Sequence, residues 1–357
     1  MPVDGPLTAL VVHVLAGDET TRRDALDALP ALLPDHHERR LAAARDPHAV
    51  LDDADLQRAL WLAYEPHYSD LPGVDAAVEW HPALLAVRAR LEARLEDAVR
   101  AVAAPLLVEH ALPADRGASA DERARQVVER LRAMTAAEGP SPLARFLGSR
   151  ATREQYLDHL AQRAAYHLRE SDPQSFALPR IEGPAQTAFA ALQHDEYGSG
   201  DPGRRHSLLF TEALRAAGLS TDRFDHVATT EPAVLASVAT MSLLALHRRL
   251  RGAAVGHLAA FEATSALPCR LIALGAHRLD LPPAVAAYFE EHVEADSVHE
   301  EIALEQLAGA LVRHRPELAD DVLLGAAACQ AVDGHAADVL LQRWRDPSVG
   351  RGAGGAA

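Results

Sequence analysis

Three residues near the end of the chain have the types and the spacing of metal ligands. His292, Asp296 and His299 lie in the run YFEEHVEADSVHEEIALE, which has no Pro or Gly and carries apolar residues at helical intervals. The pattern predicts a long helix from about Pro283 to His314. Because positions i, i+4 and i+7 fall within about 60° of one another on a helix, the three side chains share one face. Two imidazoles and a carboxylate suit Fe(II), Mn(II) or Zn(II); the simpler interpretation is an acidic helix in a chain with 19 His residues.

A glutamate upstream of this helix is a further candidate ligand. Glu262 is the one acidic residue in the otherwise uncharged run from Ala253 to Pro268, with His257 nearby. Charged side chains are rarely buried unless they are paired. A salt bridge or a buried protonated acid would account for Glu262, and so would metal ligation, because the helix with His292 follows as an antiparallel neighbour.

Two other segments place carboxylates and a histidine near helix ends. A helix predicted from Thr152 to about Glu170 is stopped by Pro173. The segment HDEYGSGDPGRRHSLLF, residues 194 to 210, breaks a helix predicted from Ile181 to His194, with Glu196 and His206 at the margins of the break. Such a loop can turn a carboxylate inward, but an ordinary helix-loop-helix has the same pattern.

The elements that must position these residues are all helical. No alternating strand pattern is sustained, so the fold class is all-α, with further helices predicted from Pro82 to Ala104 and from Ala253 to His277. With 48% hydrophobic and 4% aromatic residues, the core must consist mainly of Ala, Leu and Val. Composition predicts an N-terminal helical region, residues 1–140, a second helical region, residues 141–345, and a disordered tail, residues 346–357.

Charge and composition exclude several classes of function. The net charge of −16 disfavours nucleic acid and anionic membranes as partners. The chain has no lysine, which excludes Schiff-base mechanisms. Its two cysteines, Cys269 and Cys329, form no C-x-x-C pattern, so neither a disulfide framework nor a thiolate zinc site is expected. Without a basic N-terminal segment or a run of about 20 apolar residues, we expect a soluble, cytoplasmic protein.

Taken together, these residues resemble a known family. The order Glu170, DEYGSGDPGRRH from Asp195 to His206, Glu262 and then H-x3-D-x2-H is similar to the heme-oxygenase-like diiron oxidases, or iron-containing redox enzymes, over about Thr152 to Trp344. The resemblance implies a bundle of about seven helices that holds two irons. The upstream region resembles the helical N-terminal part that helps many members form homodimers.

The resemblance also implies a ligand set. The implied metal ligands are Glu170, Glu196, His206, Glu262, His292, Asp296 and His299. His206 with Glu170, Glu196 or Glu262 would serve one iron, and the H-x3-D-x2-H residues the other, with at least one bridging carboxylate that the sequence does not identify. Relatives of thiaminase type need a positioned nucleophilic cysteine, which Cys269 does not match, and a heme would need only one histidine.

The activity implied by the resemblance is oxidation of a small molecule by O2. The cofactors would be two Fe ions cycling between Fe(II) and Fe(III), with O2 as cosubstrate and an external electron donor. Members of the family N-oxygenate amines or cleave fatty or amino acids oxidatively. Because Glu196 resembles the extra ligand of the N-oxygenating members, we expect N-oxygenation of an amino acid or aminoheterocycle, with Glu196 and Glu262 taking part in catalysis. The alternatives are oxidative C–C cleavage or decarboxylation and a non-catalytic metal-binding scaffold.

Overall fold

The computed structural model describes residues 5–33, 36–114, 117–136 and 141–346, without the side chains of residues 36, 37, 39 and 294–298. Every regular element in these residues is helical, so the prediction of an all-α protein is confirmed. Residues 347–357, which make up nearly all of the predicted disordered tail, lie outside the described residues. So do residues 137–140, at the predicted boundary between the two regions.

The N-terminal region contains seven α-helices and two short 3-10 turns among its described residues. The helices are α1 (Pro6–Ala16), α2 (Glu19–Leu32), α3 (His36–Arg45), α4 (Pro47–Leu51), α5 (Ala54–Tyr64), α6 (Pro82–Glu109) and α7 (Ala120–Thr135). Helix α6 continues through Pro105, so its predicted end at Ala104 was wrong by about one turn. A proline removes one backbone donor and disfavours the helical conformation before it, but it does not always end a helix.

The second region contains the remaining helices. They are α8 (Pro142–Ser149), α9 (Arg153–His167), α10 (Asp172–Ser175), α11 (Pro184–Glu196), α12 (His206–Ala216), α13 (Arg223–Val227), α14 (Pro232–Leu246), α15 (Arg251–Ala263), α16 (Ala266–Arg278), α17 (Pro283–Glu301), α18 (Ala310–His314) and α19 (Ala319–Arg345). A π-helical segment, Ile302–Gly309, joins α17 to α18. The predicted continuous helix from Pro283 to His314 is therefore present, with a π segment in its second half.

Two predicted helices of this region are shorter or broken. The predicted helix from Ala253 to His277 is two helices, α15 and α16, separated at Thr264 and Ser265. Pro268 explains the break, since it lacks the N–H that would bond the carbonyl of Thr264 in a continuous helix. The helix predicted to reach Glu170 ends at His167, which leaves Glu170 in the turn before α10.

Small aliphatic side chains fill the core, as the composition predicts. One buried cluster runs from Leu7 in α1 to Val332 in α19, and a smaller one gathers residues of α8, α9, α12, α16 and α17. The large cluster contains residues from both predicted regions, so the two regions share apolar packing. Their division at residue 140 into separate domains stays a prediction.

Helices α15 and α19 approach each other unusually closely. A Cβ atom on Gly256 would lie 1.8 Å from the carbonyl oxygen of Val322, and one on Gly325 would lie 1.9 Å from the carbonyl oxygen of Ala253. Only glycine allows two helix backbones to meet at this distance. The contact fixes α15, which carries Glu262, against α19.

In the described part of the chain, no single helix has the length and apolar character needed to cross a membrane. The pair Pro232–Leu246 and Arg248–Ala263 reaches that length and composition together, with a bend of 103° between its halves.

Candidate metal centre

Four helices and one turn bring six of the seven predicted ligands together in the interior. Glu170 comes from the turn after α9, Glu196 from the end of α11, His206 from the start of α12, Glu262 from the last turn of α15, and His292 and His299 from α17. All six side chains are buried. The side chain of Asp296, the seventh predicted ligand, lies outside the described residues.

Three of the six form one cluster, here called the Glu170 group: Glu170, His206 and His292. Their possible ligand atoms lie within 4.8 Å of one another. Glu170 Oε1 is 3.4 Å from His292 Nε2, and the rings of His206 and His292 are 4.5 Å apart between centroids. Two imidazole nitrogens and a carboxylate oxygen therefore converge on one small volume.

The other three form a second cluster, the Glu262 group: Glu196, Glu262 and His299. Their ligand atoms also lie within 4.8 Å of one another. His299 Nδ1 is 3.3 Å from Glu262 Oε2 and 3.9 Å from Glu196 Oε1. This group supplies one nitrogen and two carboxylates.

Glu196 connects the two groups. Its Oε1 atom faces His299, whereas its Oε2 atom is 3.1 Å from His206 Nδ1. The hydroxyl of Ser171 donates to the same Oε2 at 2.9 Å and holds the carboxylate in this orientation. Of the three glutamates in the two groups, Glu196 is therefore the one whose two oxygens point toward different groups.

The local backbone explains how Glu196 and His206 come together. Helix α11 extends two residues beyond its predicted end and carries Glu196 as its last residue, and His206 is the first residue of α12. The chain between them reverses through Gly198, whose φ of 91° is left-handed and whose Cβ would lie 2.2 Å from the carbonyl oxygen of Asp201. Glycine at this position is needed for the reversal.

The turn that carries Glu170 is anchored from the N-terminal region. The guanidinium of Arg169 pairs with the fully buried Glu65 and lies over the ring of Tyr68 at 4.4 Å and that of Trp61 at 5.6 Å. Aromatic faces attract a guanidinium, and desolvation strengthens the effect. Two aromatic residues of the N-terminal region, Trp61 and Tyr68, thus help to fix the residue next to Glu170.

Hydrogen bonds behind two of the histidines orient their rings. His292 Nδ1 lies 2.8 Å from the carbonyl oxygen of Tyr288, so this nitrogen carries a proton and Nε2 faces the Glu170 group. His299 Nε2 lies 3.3 Å from Asp195 Oδ2, on the ring edge opposite Glu262. A carboxylate or carbonyl behind the ring is the usual arrangement for a metal-ligating histidine.

The electrostatics of the Glu262 group favour a positive charge. Burial raises the pKa of Glu262 above its ordinary value. Burial acts to lower the pKa of His299, but the neighbouring Glu262 and Glu196 carboxylates raise it to about 9. A proton on the imidazole then offsets the buried carboxylates, and a bound cation would do the same.

The donor set fits a pair of transition-metal ions. It consists of imidazoles and carboxylates, the ligands that Fe(II) and Mn(II) prefer, and no described cysteine or lysine lies in it. His206 Nδ1 is buried and makes no hydrogen bond, although Glu196 is close, so this nitrogen has an unused lone pair or proton inside the site. Such a buried atom without a partner is accounted for if it ligates a metal.

The structure divides the ligands differently from the division implied by the resemblance. His292 joins Glu170 and His206, whereas His299 joins Glu196 and Glu262. The two histidines are seven residues apart on α17, which separates them by about 10 Å along the helix axis. They share a face of the helix, as predicted, but each belongs to a different one of the two neighbouring groups.

Three residues beside the ligands were not among the predicted site residues. Asp195 lies behind His299, Ser171 donates to Glu196, and Tyr288 donates to Glu170 Oε2 at 2.8 Å. Tyr288 could have been found, because it precedes His292 by one helical turn. Ser171 could not, because its contact depends on a left-handed backbone (φ of 69°) that non-glycine residues seldom adopt.

Comparisons with known proteins identify the family of the chain. Among functionally curated proteins, none matches the chain. A solved structure from Shewanella denitrificans OS217, described as a domain of unknown function with a heme oxygenase-like fold, is 17% identical with a TM-score of 0.46, covering 65% of this chain and 96% of that one. Residues 157–334 match the family described as iron-containing redox enzyme. Through these residues, which include all seven predicted ligands, the chain belongs to the iron-containing redox enzyme family.

Proposed function

We propose that this protein is a non-heme diiron oxygenase that uses O2 to N-oxygenate an amine, an amino acid or an aminoheterocycle. The observation that supports it most directly is the pair of buried His/Glu groups that share Glu196. Each group would hold one iron, and Glu196 would bridge them. Membership of the iron-containing redox enzyme family supports an oxidoreductase.

The reaction balances with an external reductant. An amine R–NH2, O2, two electrons and two protons give R–NHOH and water; one oxygen atom enters the product, and the other leaves as water. When bound, the two Fe(II) ions would supply the two electrons that reduce O2, and an external electron donor would restore them after each turnover.

The chain's own residues supply geometry and charge. Glu170, Glu196 and Glu262 offset the charge of the ions, and the hydrogen bonds from Tyr288 and Ser171 hold two of these carboxylates in place. His292 is fixed in one tautomer by the Tyr288 carbonyl, so its Nε2 stays directed at the centre. Burial of all six side chains keeps bulk water away from the reacting nitrogen.

The first test is an anaerobic Fe(II) titration followed by mixing with O2. The proposal expects saturation near two irons per chain and Fe-dependent O2 consumption that amines accelerate. His292→Ala and Glu262→Ala should abolish this consumption, whereas His277→Ala and Glu290→Ala, an exposed pair on α16 and α17, should not. Absence of tight iron binding, or binding without O2 consumption, would contradict the oxygenase and favour a scaffold.

The products decide the reaction type. Mass spectrometry of incubations with amines should detect a hydroxylamine or nitro product carrying oxygen from 18O2. Fragmentation of a fatty or amino acid without any N-oxygenated product would establish oxidative C–C cleavage instead.

A further inference from the structure

A cavity lies beside the candidate metal centre. Two adjoining spaces, about 530 Å³ and about 120 Å³, share a stretch of wall. The shared wall residues are Leu143, His159, Arg163, Phe261, Asp333 and Ala337. Three of these six residues are apolar and three carry a charge or an imidazole, and such a combination suits a small polar molecule.

One end of the cavity is lined by His167, which lies next to Glu170. Arg163 Nη2 lies 2.5 Å from His167 Nε2, and the same nitrogen of His167 is 3.6 Å from Glu170 Oε1. Phe261, which also lines the cavity, directly precedes Glu262 in α15. A molecule in the cavity would therefore have the metal centre at its far end, beyond His167 and Phe261.

The wall contributed by α9 has buried polar atoms without partners. His159 is 1% exposed, and neither Nδ1 nor Nε2 makes a hydrogen bond. One turn later, the Nε atom of Arg163 is also buried and unpaired. Buried polar atoms without a hydrogen-bond partner destabilise a fold, so folded proteins rarely contain them without a ligand or water that pairs with them.

The facing wall, on α19, carries the opposite charge. Asp333 accepts hydrogen bonds from Ser237 Oγ at 2.5 Å and from Cys329 Sγ at 3.6 Å. A carboxylate has about four acceptor sites, so these two bonds leave it able to accept from a cation. The two walls thus offer donors on α9 and an acceptor on α19 to one small volume.

We infer that this cavity binds an α-amino acid, with its carboxylate on Arg163 and His159 and its ammonium on Asp333. Guanidinium and carboxylate form strong charge-assisted pairs, and the unpaired nitrogens of His159 and Arg163 gain partners when an anion arrives. The amino-acid side chain then extends past His167 and Phe261 toward the metal centre. A fatty acid would use the donors but leave Asp333 facing an apolar chain.

Oxidation of the bound amino acid rests on the proposed oxygenase function, whereas its binding to Arg163, His159 and Asp333 does not. A nitrogen that pairs with Asp333 is protonated and is a poor nucleophile. The atom that is oxidised therefore belongs to the distal part of the substrate.

Binding can be measured without turnover. Isothermal titration calorimetry of the Fe(II)-loaded protein under anaerobic conditions, with the proteinogenic L-α-amino acids, their methyl esters and the corresponding deaminated acids, provides the test. At least one amino acid should bind at millimolar concentration or better, and its methyl ester should not. No binding by any amino acid, or equal binding by its ester, would overturn the inference.

Two substitutions separate the two charged groups. Arg163→Gln should weaken binding of both the amino acid and its deaminated acid by about tenfold or more. Asp333→Asn should weaken the amino acid alone. The exposed residues Arg215 and Asp320 provide matched controls, Arg215→Gln and Asp320→Asn, which should leave both affinities unchanged.

Because Arg163 contacts His167 beside Glu170, a second variant avoids the metal centre. His159→Phe keeps an aromatic ring and removes both ring nitrogens; it should weaken carboxylate binding while iron stoichiometry stays at the wild-type value. Unchanged affinity in both Arg163→Gln and His159→Phe would overturn the inference.

The outcomes distinguish the two proposals. Arg163-dependent amino-acid binding without Fe-dependent O2 consumption would contradict the oxygenase and retain the amino-acid cavity. If amines without a carboxylate bind with the same affinity as amino acids and are oxygenated, the oxygenase is retained and the amino-acid cavity is contradicted.

Discussion

The carboxylate of Asp195 lies behind the imidazole of His299, with Oδ2 3.3 Å from Nε2 on the ring edge opposite Glu262. This arrangement orients the ring so that Nδ1 is directed at the Glu262 group. A carboxylate in this position also makes the imidazole a more basic ligand.

Asp195→Asn should therefore weaken metal binding. The asparagine keeps the size of the side chain but removes its charge, and we expect a loss of about 10- to 100-fold in affinity for one of the two Fe(II) ions. A competitive Fe(II) titration measures the change. Asp320→Asn, an exposed substitution on α19, is the control; equal affinities in the two variants would show that Asp195 does not support the ligand.

Glu196→Ala should separate iron binding from catalysis. The Glu170 group keeps its three ligands, and Glu262 and His299 remain in the other group, so we expect both irons to bind, with reduced affinity at the second position. Product formation should fall by about 100-fold or more, because the connection between the groups is lost. Iron analysis and product assays of the same preparation check this, with Glu290→Ala as control; unchanged product would mean that Glu196 is not part of the centre.

Acid should destabilise the fold through His67. Burial and the charge of Arg88 lower the pKa of this histidine from 6.5 to about 4, and Arg88 donates to its Nε2, which must be unprotonated to accept. The unfolded chain therefore binds a proton before the folded protein does. The stabilisation of the fold by neutral His67 is fully present above pH 6.5. It is lost as the pH falls toward 4, which lowers the free energy of unfolding by up to about 3 kcal/mol.

Urea unfolding of the metal-free protein at several pH values measures this loss. In His67→Gln the free energy of unfolding should change less between pH 6.5 and 4 than in the wild type. His277→Gln replaces an exposed histidine and should keep the wild-type pH dependence. Parallel pH profiles for the wild type and His67→Gln would contradict the assignment.

Gly256→Ala should destabilise the contact between α15 and α19. Its Cβ would overlap the backbone carbonyl of Val322, which cannot move aside alone, so we expect a loss of about 3 kcal/mol. Gly334→Ala, on the same α19, meets no atom within 4 Å and should be neutral or stabilising by about 0.5 to 1 kcal/mol. Thermal unfolding compares the two, and equal effects would show that the helices are not held at this distance.

Residue type and spacing were sufficient for part of the site. The spacing of His292 and His299 on α17 and an isolated Glu262 in an apolar run led to side chains that the structure places within two small clusters. The position of Glu196 between them was not predictable, because it depends on a two-residue extension of α11 and on a reversal through Gly198.

Contacts between elements that are distant in the chain were also beyond sequence reasoning. Pairing of Arg169 with Glu65 crosses from the second region to the first, and Asp195 reaches α17 from α11. No short-range pattern records such contacts. The break between α15 and α16 was also missed. It lies about one helical turn before Pro268, the proline that causes it.

The close packing of α15 against α19 has a consequence for how this protein can acquire new substrates. Glu262 and Asp333 belong to helices that are joined backbone to backbone, so a substitution that displaces α19 would also displace a ligand of the metal centre. The cavity residues on α9 and α14 lie outside the backbone contact between α15 and α19. Selectivity should therefore diverge among relatives, and be most readily engineered, through α9 and α14, whereas the face of α19 that packs on α15 is expected to tolerate little change.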